Sequence, residues 1–103
     1  MKVEFKTAYL ERLYETPLED IKGKHAFGKE IILQFKKKVA ILVSITNITQ
    51  LRQFRSLNFE FLKGDRKGEC SIRLNQQYRL IFEQKSKDEI EILLINEISK
   101  HYE

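Results

Sequence analysis

The chain has 103 residues, of which 42% are hydrophobic and 33% charged, so it is long enough for a single domain over residues 1–103 and too apolar for a disordered segment. One cysteine and two histidines exclude a disulfide framework and a cysteine-based zinc site and leave little for a histidine-based one, so we expect neither a metal nor a cofactor. The lone cysteine, the short apolar runs and an N-terminus without a signal-peptide core predict a cytoplasmic protein that does not enter a membrane.

The first half of the chain shows mainly helical patterns. The longest helix is predicted over residues 27–45, because its apolar residues recur every three or four positions. Thr7 can cap a shorter helix over residues 8–15. The other predicted segments are an edge strand at 2–5, a second helical stretch from Pro17, a loop at 21–26 and one or two helical turns at 49–54.

The second half alternates apolar and polar residues, with turn residues between the runs. Four strands are predicted at 57–62, 69–74, 78–83 and 90–95, the last of them nearly all apolar and therefore central. Helices followed by an antiparallel meander indicate an α+β fold. We expect the N-terminal strand and helices to pack on one face of an antiparallel sheet.

The excess positive charge is concentrated in one segment. Nineteen lysines and arginines against 15 acidic residues give a net charge of +4. Residues 50–80 hold seven of these bases and three of the acids, so this segment carries the whole excess. A concentrated basic segment predicts an anionic partner such as nucleic acid. A solvated surface and a site for an acidic protein are the alternatives.

Two arginines in this segment are predicted to lie directly opposite each other. A three-residue loop at 75–77 pairs Ile72 with Leu80, which keeps apolar residues together and places Arg73 across from Arg79. Like charges opposite each other destabilise a sheet unless something neutralises them. One candidate is a salt bridge to Glu60, Glu69 or Glu97. The other is a bound phosphate, whose geometry suits guanidinium groups.

Residues 61–82, FLKGDRKGECSIRLNQQYRLIF, resemble the HigB-like toxins of the RelE/ParE superfamily. The family signature is a Leu-Lys-Gly turn, a Ser-Ile-Arg-hydrophobic-Asn stretch, and an aromatic residue followed by Arg. These elements correspond here to residues 62–64, 71–75 and 78–79. The resemblance implies a RelE-like α+β fold and a toxin of a type II toxin–antitoxin pair that cuts translated mRNA on the ribosome. It also implies a helix-turn-helix antitoxin as partner, through which alone the toxin would meet DNA.

The resemblance also suggests site residues. Lys63, Arg73 and Arg79 match family positions that assist cleavage or contact phosphate. The better-studied members have a histidine three residues before the lysine, where this chain has Glu60, and end their last strand with an acid, an aromatic and a histidine. Here that stretch is residues 97–99, and only the acid, Glu97, is kept.

The reaction needs a base for the RNA 2′-hydroxyl, cations for the charged phosphorane and an acid for the leaving oxygen. Our hypothesis is Glu60 or Glu97 as base, Lys63, Arg73 and Arg79 as cations, and His101 as acid, without a metal. Further RNA contacts are expected from the exposed polar and basic positions Arg66, Lys67, Lys36, Lys37 and Tyr102.

Several of these residues have simpler interpretations. Glu60 could bridge to Arg73, Glu97 could pair with Lys100, and the lysines at 36–38 could form the wet face of a helix. The phenylalanines are expected in the core rather than as base-stacking platforms, and Cys70 is expected to be buried. The same fold also serves non-catalytic gyrase-binding toxins. A degenerate module that only binds its antitoxin is the third possibility.

Overall fold

Two α-helices and five strands form an α+β fold in the computed structural model, which describes residues 1–23 and 25–100. These elements are β1 (Lys2–Phe5), α1 (Ala8–Glu15), α2 (Lys29–Ser44), β2 (Glu60–Phe61), β3 (Cys70–Arg73), β4 (Tyr78–Lys87) and β5 (Ile90–Lys100). Short 3-10 turns occupy Leu18–Asp20, Ile48–Gln53, Arg55–Leu57 and Gly64–Arg66. Neither helix in this part of the chain is long and apolar enough to cross a membrane.

The five strands form one sheet in the order β1-β5-β4-β3-β2. Strands β2 to β5 are antiparallel neighbours, as predicted, but β1 runs parallel to β5 with Phe5 paired to Ile95. The predicted fold class is therefore confirmed, and the parallel edge strand makes the sheet mixed. The predicted central position of the last strand is also confirmed, because β5 lies between β1 and β4.

The core lies between the helices and one face of the sheet. Helix α2 buries a stripe of five apolar side chains at three- and four-residue spacing, namely Ile31, Ile32, Phe35, Val39 and Leu42. From the sheet, alternate residues face this stripe, and Ile72, Leu80, Phe82, Leu93 and Ile95 are fully covered. Because side chains alternate along a strand, the residues between these positions face the other side of the sheet. Among the described residues, neither α1 nor α2 packs on that second face.

The predictions of helices α1 and α2 are confirmed, but the start of α2 and the stretch after Pro17 differ from the prediction. The Thr7 hydroxyl accepts a hydrogen bond from the Leu10 amide at 3.2 Å and caps α1, as predicted. Helix α2 begins at Lys29 rather than residue 27, because Gly28 is extended and serves as its N-cap. The stretch after Pro17 forms only a single 3-10 turn.

The strand predictions were wrong in length at both ends of the meander. The strand expected over 57–62 is limited to Glu60–Phe61, because Asn58 adopts a left-handed conformation with φ 49° that interrupts an extended chain. The strand expected over 78–83 continues to Lys87, and the polar residues at 85–87 belong to it, so the chain reverses only at Asp88 and Glu89. Both have positive φ, 50° and 66°, as a tight two-residue hairpin requires.

Replacing Glu89 by glycine is expected to stabilise the protein. A left-handed residue with a Cβ costs about 1–2 kcal/mol, while the flexibility of glycine costs about 0.5–1 kcal/mol, so a gain of roughly 0.5–1 kcal/mol should remain. The matched control is Lys87→Gly, one position before the turn in regular strand, which should lose about as much. Urea denaturation measures both variants, and a loss of stability in Glu89→Gly would contradict the expectation.

Candidate functional site

The face of the sheet opposite the helices brings together most of the site residues predicted from the sequence. Strand pairing aligns one row of side chains across four strands, Glu60, Ser71, Ile81 and Glu97. A second row, Arg73, Arg79 and Ser99, lies beside it. A cavity of about 320 Å³ opens on this face and is lined by Glu60, Leu62, Arg66, Ser71, Arg79, Ile81, Ser99 and Lys100.

Arg79 is the buried cation of this cavity. Its side chain and backbone are only 6% exposed, and its Nη2 donates a hydrogen bond to the Asn58 carbonyl oxygen at 2.7 Å. Its Nε is buried and has no hydrogen-bond partner among the described residues. Burial lowers the pKa of Arg79, and the positive charge of Arg73 lowers it further, whereas the negative charge of Glu60 raises it. The guanidinium nevertheless remains protonated at neutral pH. A buried cation with a spare N–H donor is suited to an anion that enters the cavity.

The predicted register of the two arginines is confirmed. Arg73 pairs directly with Arg79, and Ile72 pairs with Leu80. In the described part of the chain neither arginine forms an ion pair with a carboxylate. The expected bridge from Glu60 to Arg73 is therefore absent within residues 1–23 and 25–100. The two opposed arginines are therefore close to each other without a carboxylate at ion-pair distance in this part of the chain, while Arg73 itself is exposed to solvent.

Arg66, which also lines the cavity, contacts the carboxylates of Glu97 and Glu69. Its Nη2 bonds to Glu97 Oε1, and its Nε lies 3.1 Å from Glu69 Oε1. The hydrogen bond that Arg66 donates to Glu97 is the main cause that raises the pKa of Arg66. Asn96 Nδ2 in turn donates to Glu69 Oε2 at 2.7 Å and to Glu83 Oε2 at 2.8 Å. Glu97 thus pairs with Arg66 in this structure, and not with Lys100.

The remaining predicted residues lie around this cavity or away from it. Glu60 is exposed at the cavity edge, and Lys63 and Lys67 are exposed on the loop between β2 and β3. His101 and Tyr102 lie outside the described residues. Within those residues, His, Cys, Asp and Glu side chains form no group of three that could hold a metal ion.

The two lysines of α2 are not brought to the cavity. Lys36 and Lys37 belong to the helical layer, on the opposite side of the sheet. Lys36 Nζ donates to the Tyr14 carbonyl oxygen at 2.8 Å and to that of Thr16, so it caps the end of α1. Burial lowers the pKa of Lys36, and nearby Glu19 partly opposes this.

Comparisons with known proteins show the family. Residues 3–96 match the family described as the RelE-like toxin of type II toxin–antitoxin system HigB. The chain belongs to the HigB-like toxins. It is 40% identical over 83 residues to Toxin HigB-1 of Vibrio cholerae serotype O1, and the match covers 81% of this chain and 83% of that protein. The resemblance inferred from residues 61–82 is therefore confirmed, and this HigB-like chain is a toxin of a type II toxin–antitoxin system.

Solved structures support the RelE-like fold of this HigB-like toxin. A YoeB/ParE toxin from Agrobacterium tumefaciens superposes with a TM-score of 0.57 at 16% identity, over 99% of this chain and 100% of that one. A YoeB–YefM complex from Staphylococcus aureus contains a chain that superposes with a TM-score of 0.51 at 19% identity, over 99% of this chain and 98% of that one. At these identities the likeness concerns the fold alone.

Sequence reasoning missed Asn58 and Asn96, which shape the site of this HigB-like toxin, and it expected Arg66 to contact RNA rather than Glu97. Asn58 supplies the carbonyl that holds Arg79, Arg66 holds Glu97, and Asn96 holds two glutamates. A signal for Asn96 was available, because it is a polar residue within an apolar strand. It is the extra residue of a β-bulge, where pairing passes from Ile81 with Glu97 to Phe82 with Ile95.

Cys70 is buried, as predicted, and should be chemically inert. It is 3% exposed, and burial, assisted by Glu69, raises the pKa of its thiol to about 11. Since only the thiolate is nucleophilic, we expect negligible alkylation by iodoacetamide at about pH 8 in the folded toxin. Complete reaction is expected after unfolding in guanidinium chloride, which provides the control. Fast alkylation of the folded protein, followed by mass spectrometry, would contradict this expectation.

Proposed function

We propose that this HigB-like toxin is a ribosome-dependent endoribonuclease that cuts translated mRNA in the cytoplasm. The observation that carries the proposal is Arg79, a buried guanidinium in a cavity whose Nε–H has no partner among the described residues. It is paired with Arg73, which forms no ion pair with a carboxylate in that part of the chain. An RNA phosphate supplies the missing negative charge. The HigB-like and RelE-like family is consistent with this activity.

The chemistry requires little from the protein. The base removes the proton of the RNA 2′-hydroxyl, whose oxygen attacks the adjacent phosphorus. The bond from phosphorus to the 5′-oxygen then breaks, and an acid protonates that oxygen. Products are a 2′,3′-cyclic phosphate and a 5′-hydroxyl end. The negative charge that develops on the phosphorane is stabilised by Arg79, Arg73 and Lys63.

Glu60 is favoured over Glu97 as the general base. Glu60 lines the cavity and forms no ion pair within the described residues, whereas the Glu97 carboxylate is bonded to Arg66. The Glu97 carboxylate is thus already occupied by Arg66, whereas that of Glu60 is free, in the described part of the chain, to accept the proton of the RNA 2′-hydroxyl. Glu97 is then assigned to positioning Arg66, and His101 is kept as the proposed acid.

Further contacts to RNA are proposed for the basic loop and the C-terminal residues. Arg66 lines the cavity and Lys67 follows it on the loop between β2 and β3. Both are proposed to contact RNA, as is Tyr102. Lys37, exposed on α2, and Lys36 are on the helical side of the molecule and could contact ribosomal RNA rather than the substrate.

An antitoxin is the second proposed partner. A YoeB chain of similar fold has been solved in complex with YefM. We propose that a helix-turn-helix protein encoded next to this chain binds and silences it, and that DNA is reached only through that protein. Co-expression with one affinity tag tests this, and failure of the neighbouring gene product to co-purify would exclude it.

Mapping of mRNA 5′ ends during induction of the toxin tests the nuclease. We expect new ends inside translated frames, and we expect them to disappear from a reporter whose start codon is removed. Ends that persist in the untranslated reporter would contradict ribosome dependence. Growth arrest without new ends would replace the nuclease by a binding toxin, with gyrase as the next target to test.

A non-catalytic toxin is favoured by one observation. Ser99 lines the cavity at the position that corresponds, by the family resemblance, to a histidine in better-studied toxins. If neither cleavage nor arrest occurs while the antitoxin still binds, the chain is an antitoxin-binding module.

A further inference from the structure

An aromatic and basic surface lies at the outer edge of the sheet, beside the proposed RNA site. We call it the edge surface and define it by Arg52, Phe59, Phe61 and Lys63. A depression of about 570 Å³ runs along these residues and also touches Glu60 and Leu62. The last two also line the cavity that holds Arg79. The edge surface is therefore continuous with the candidate active site.

Phe61 is exposed although it was expected in the core. It pairs with buried Cys70, so it points toward the helical side of the sheet, but β2 is the last strand and 54% of Phe61 remains exposed. Its ring centroid lies 5.0 Å from that of Phe59 in an edge-to-face arrangement of 74°. Phe59 is buried and stacks on Phe82 with centroids 6.4 Å apart. Phe61 is thus in edge-to-face contact with a core residue, and about half of its surface is exposed.

Arginine completes this surface. The Arg52 guanidinium carbon lies 5.4 Å from the ring centroid of Phe59 and 5.8 Å from that of Phe61. Neither Arg52 nor Lys63 forms an ion pair with a carboxylate among the described residues. A supported aromatic ring next to unpaired cations matches the sites that bind single-stranded nucleic acid, where bases stack on the ring and cations hold the backbone.

We propose that Phe61 and Arg52 form a stacking subsite for an unpaired RNA base next to the scissile phosphate. This inference rests on the proposed nuclease function and extends it with a substrate contact. An acidic protein segment would also match the charge. An RNA nucleobase is favoured over an acidic protein segment for two reasons. The flat ring and the adjacent guanidinium suit a planar group on an anionic chain, and the shared residues Glu60 and Leu62 place that group next to the phosphate cavity.

Intrinsic fluorescence tests the subsite without requiring cleavage. The chain contains no tryptophan, so a Phe61→Trp variant carries a single reporter. We expect saturable quenching by a six-nucleotide single-stranded RNA, and little change with an abasic strand of equal length and charge. An Ile90→Trp variant is the matched control, since Ile90 is also 54% exposed but lies at the hairpin of β4 and β5. Equal quenching in both variants, or none with RNA, would overturn the subsite.

Cleavage provides the second readout. Phe61→Ala is expected to reduce the yield of new mRNA 5′ ends by about 5- to 150-fold, the range measured when single stacking contacts are lost, and Phe61→Tyr should restore it. Ile90→Ala should cut as the unmodified toxin does. Unchanged cutting by Phe61→Ala would overturn the subsite and leave the nuclease intact.

The two proposals fail in different ways. If the unmodified toxin produces no new ends but RNA still quenches the Phe61→Trp variant, the subsite stands and the nuclease falls. If the antitoxin alters the fluorescence of that variant and RNA does not, the edge surface is a protein-docking surface and the inference is wrong.

Discussion

Replacing Arg79 by alanine is expected to lower mRNA cleavage by about 100- to 1000-fold, the loss typical of removing one preorganised donor from a developing oxyanion. The reason is the position of Arg79, whose guanidinium is buried in the cavity and whose Nε–H has no partner among the described residues. Arg79→Lys should recover only part of the activity, because an ammonium keeps the charge and loses the planar fork. Cleavage of translated mRNA by purified toxin and ribosomes measures each variant.

Two controls separate this catalytic loss from a folding defect. The first control is thermal melting of Arg79→Ala, which reports its stability. Truncation leaves the Asn58 carbonyl without its donor, which should cost about 1–3 kcal/mol of the free energy of unfolding. Lys87→Ala removes a positive charge from the exposed hairpin end of β4, far from the cavity, and should cleave within about twofold of the unmodified toxin. Cleavage by Arg79→Ala within tenfold of the unmodified toxin would exclude Arg79 as the main charge stabiliser.

Replacing Phe35 by alanine is expected to cost about 3–5 kcal/mol of the free energy of unfolding. Phe35 is fully buried at the centre of α2 and packs against Phe5 with ring centroids 6.4 Å apart. The loss combines the transfer of the ring to water with the cavity left behind. A domain of this size has a total stability of about 5–15 kcal/mol, so the variant should be close to unfolding.

Phe61→Ala is the matched control, since it makes the same chemical change on a largely exposed side chain. We expect it to cost less than about 1 kcal/mol in urea denaturation. Equal losses in the two variants would mean that Phe61 supports the fold as strongly as Phe35. That result would also make the fluorescence and cleavage of Phe61 variants depend on stability rather than on stacking.

Much of the fold could be predicted because the signals are local. The stripe of α2 and the alternation along β3 and β4 follow from side-chain periodicity. The register of Arg73 and Arg79 was predictable because a short loop leaves few ways to pair the strands and only one keeps Ile72 with Leu80. The parallel pairing of β1 with β5 was not predictable, since it joins segments about 90 residues apart and leaves no local pattern.

The sequence allowed us to predict which residues form the candidate site, but not the hydrogen bonds and ion pairs between them. Alternation alone puts Glu60, Arg73 and Arg79 on one face. Which carboxylate is available depends on Arg66, a loop residue that reaches Glu97 across 31 positions of sequence. The exposure of Phe61 likewise follows from β2 being the last strand of the sheet, which depends on the order of all five strands.

The parallel pairing of β1 and β5 has a consequence for synthesis of the toxin. Residues 2–5 pair with residues 92–95, so the first strand made has no place in the sheet until the last strand has been translated. The β5 strand also carries Glu97 and Ser99 into the cavity rows. A nascent chain therefore cannot assemble the sheet or the site while β5 is inside the ribosomal exit tunnel. The toxin thus becomes competent only after β5 has emerged from the ribosome, which we propose as its target.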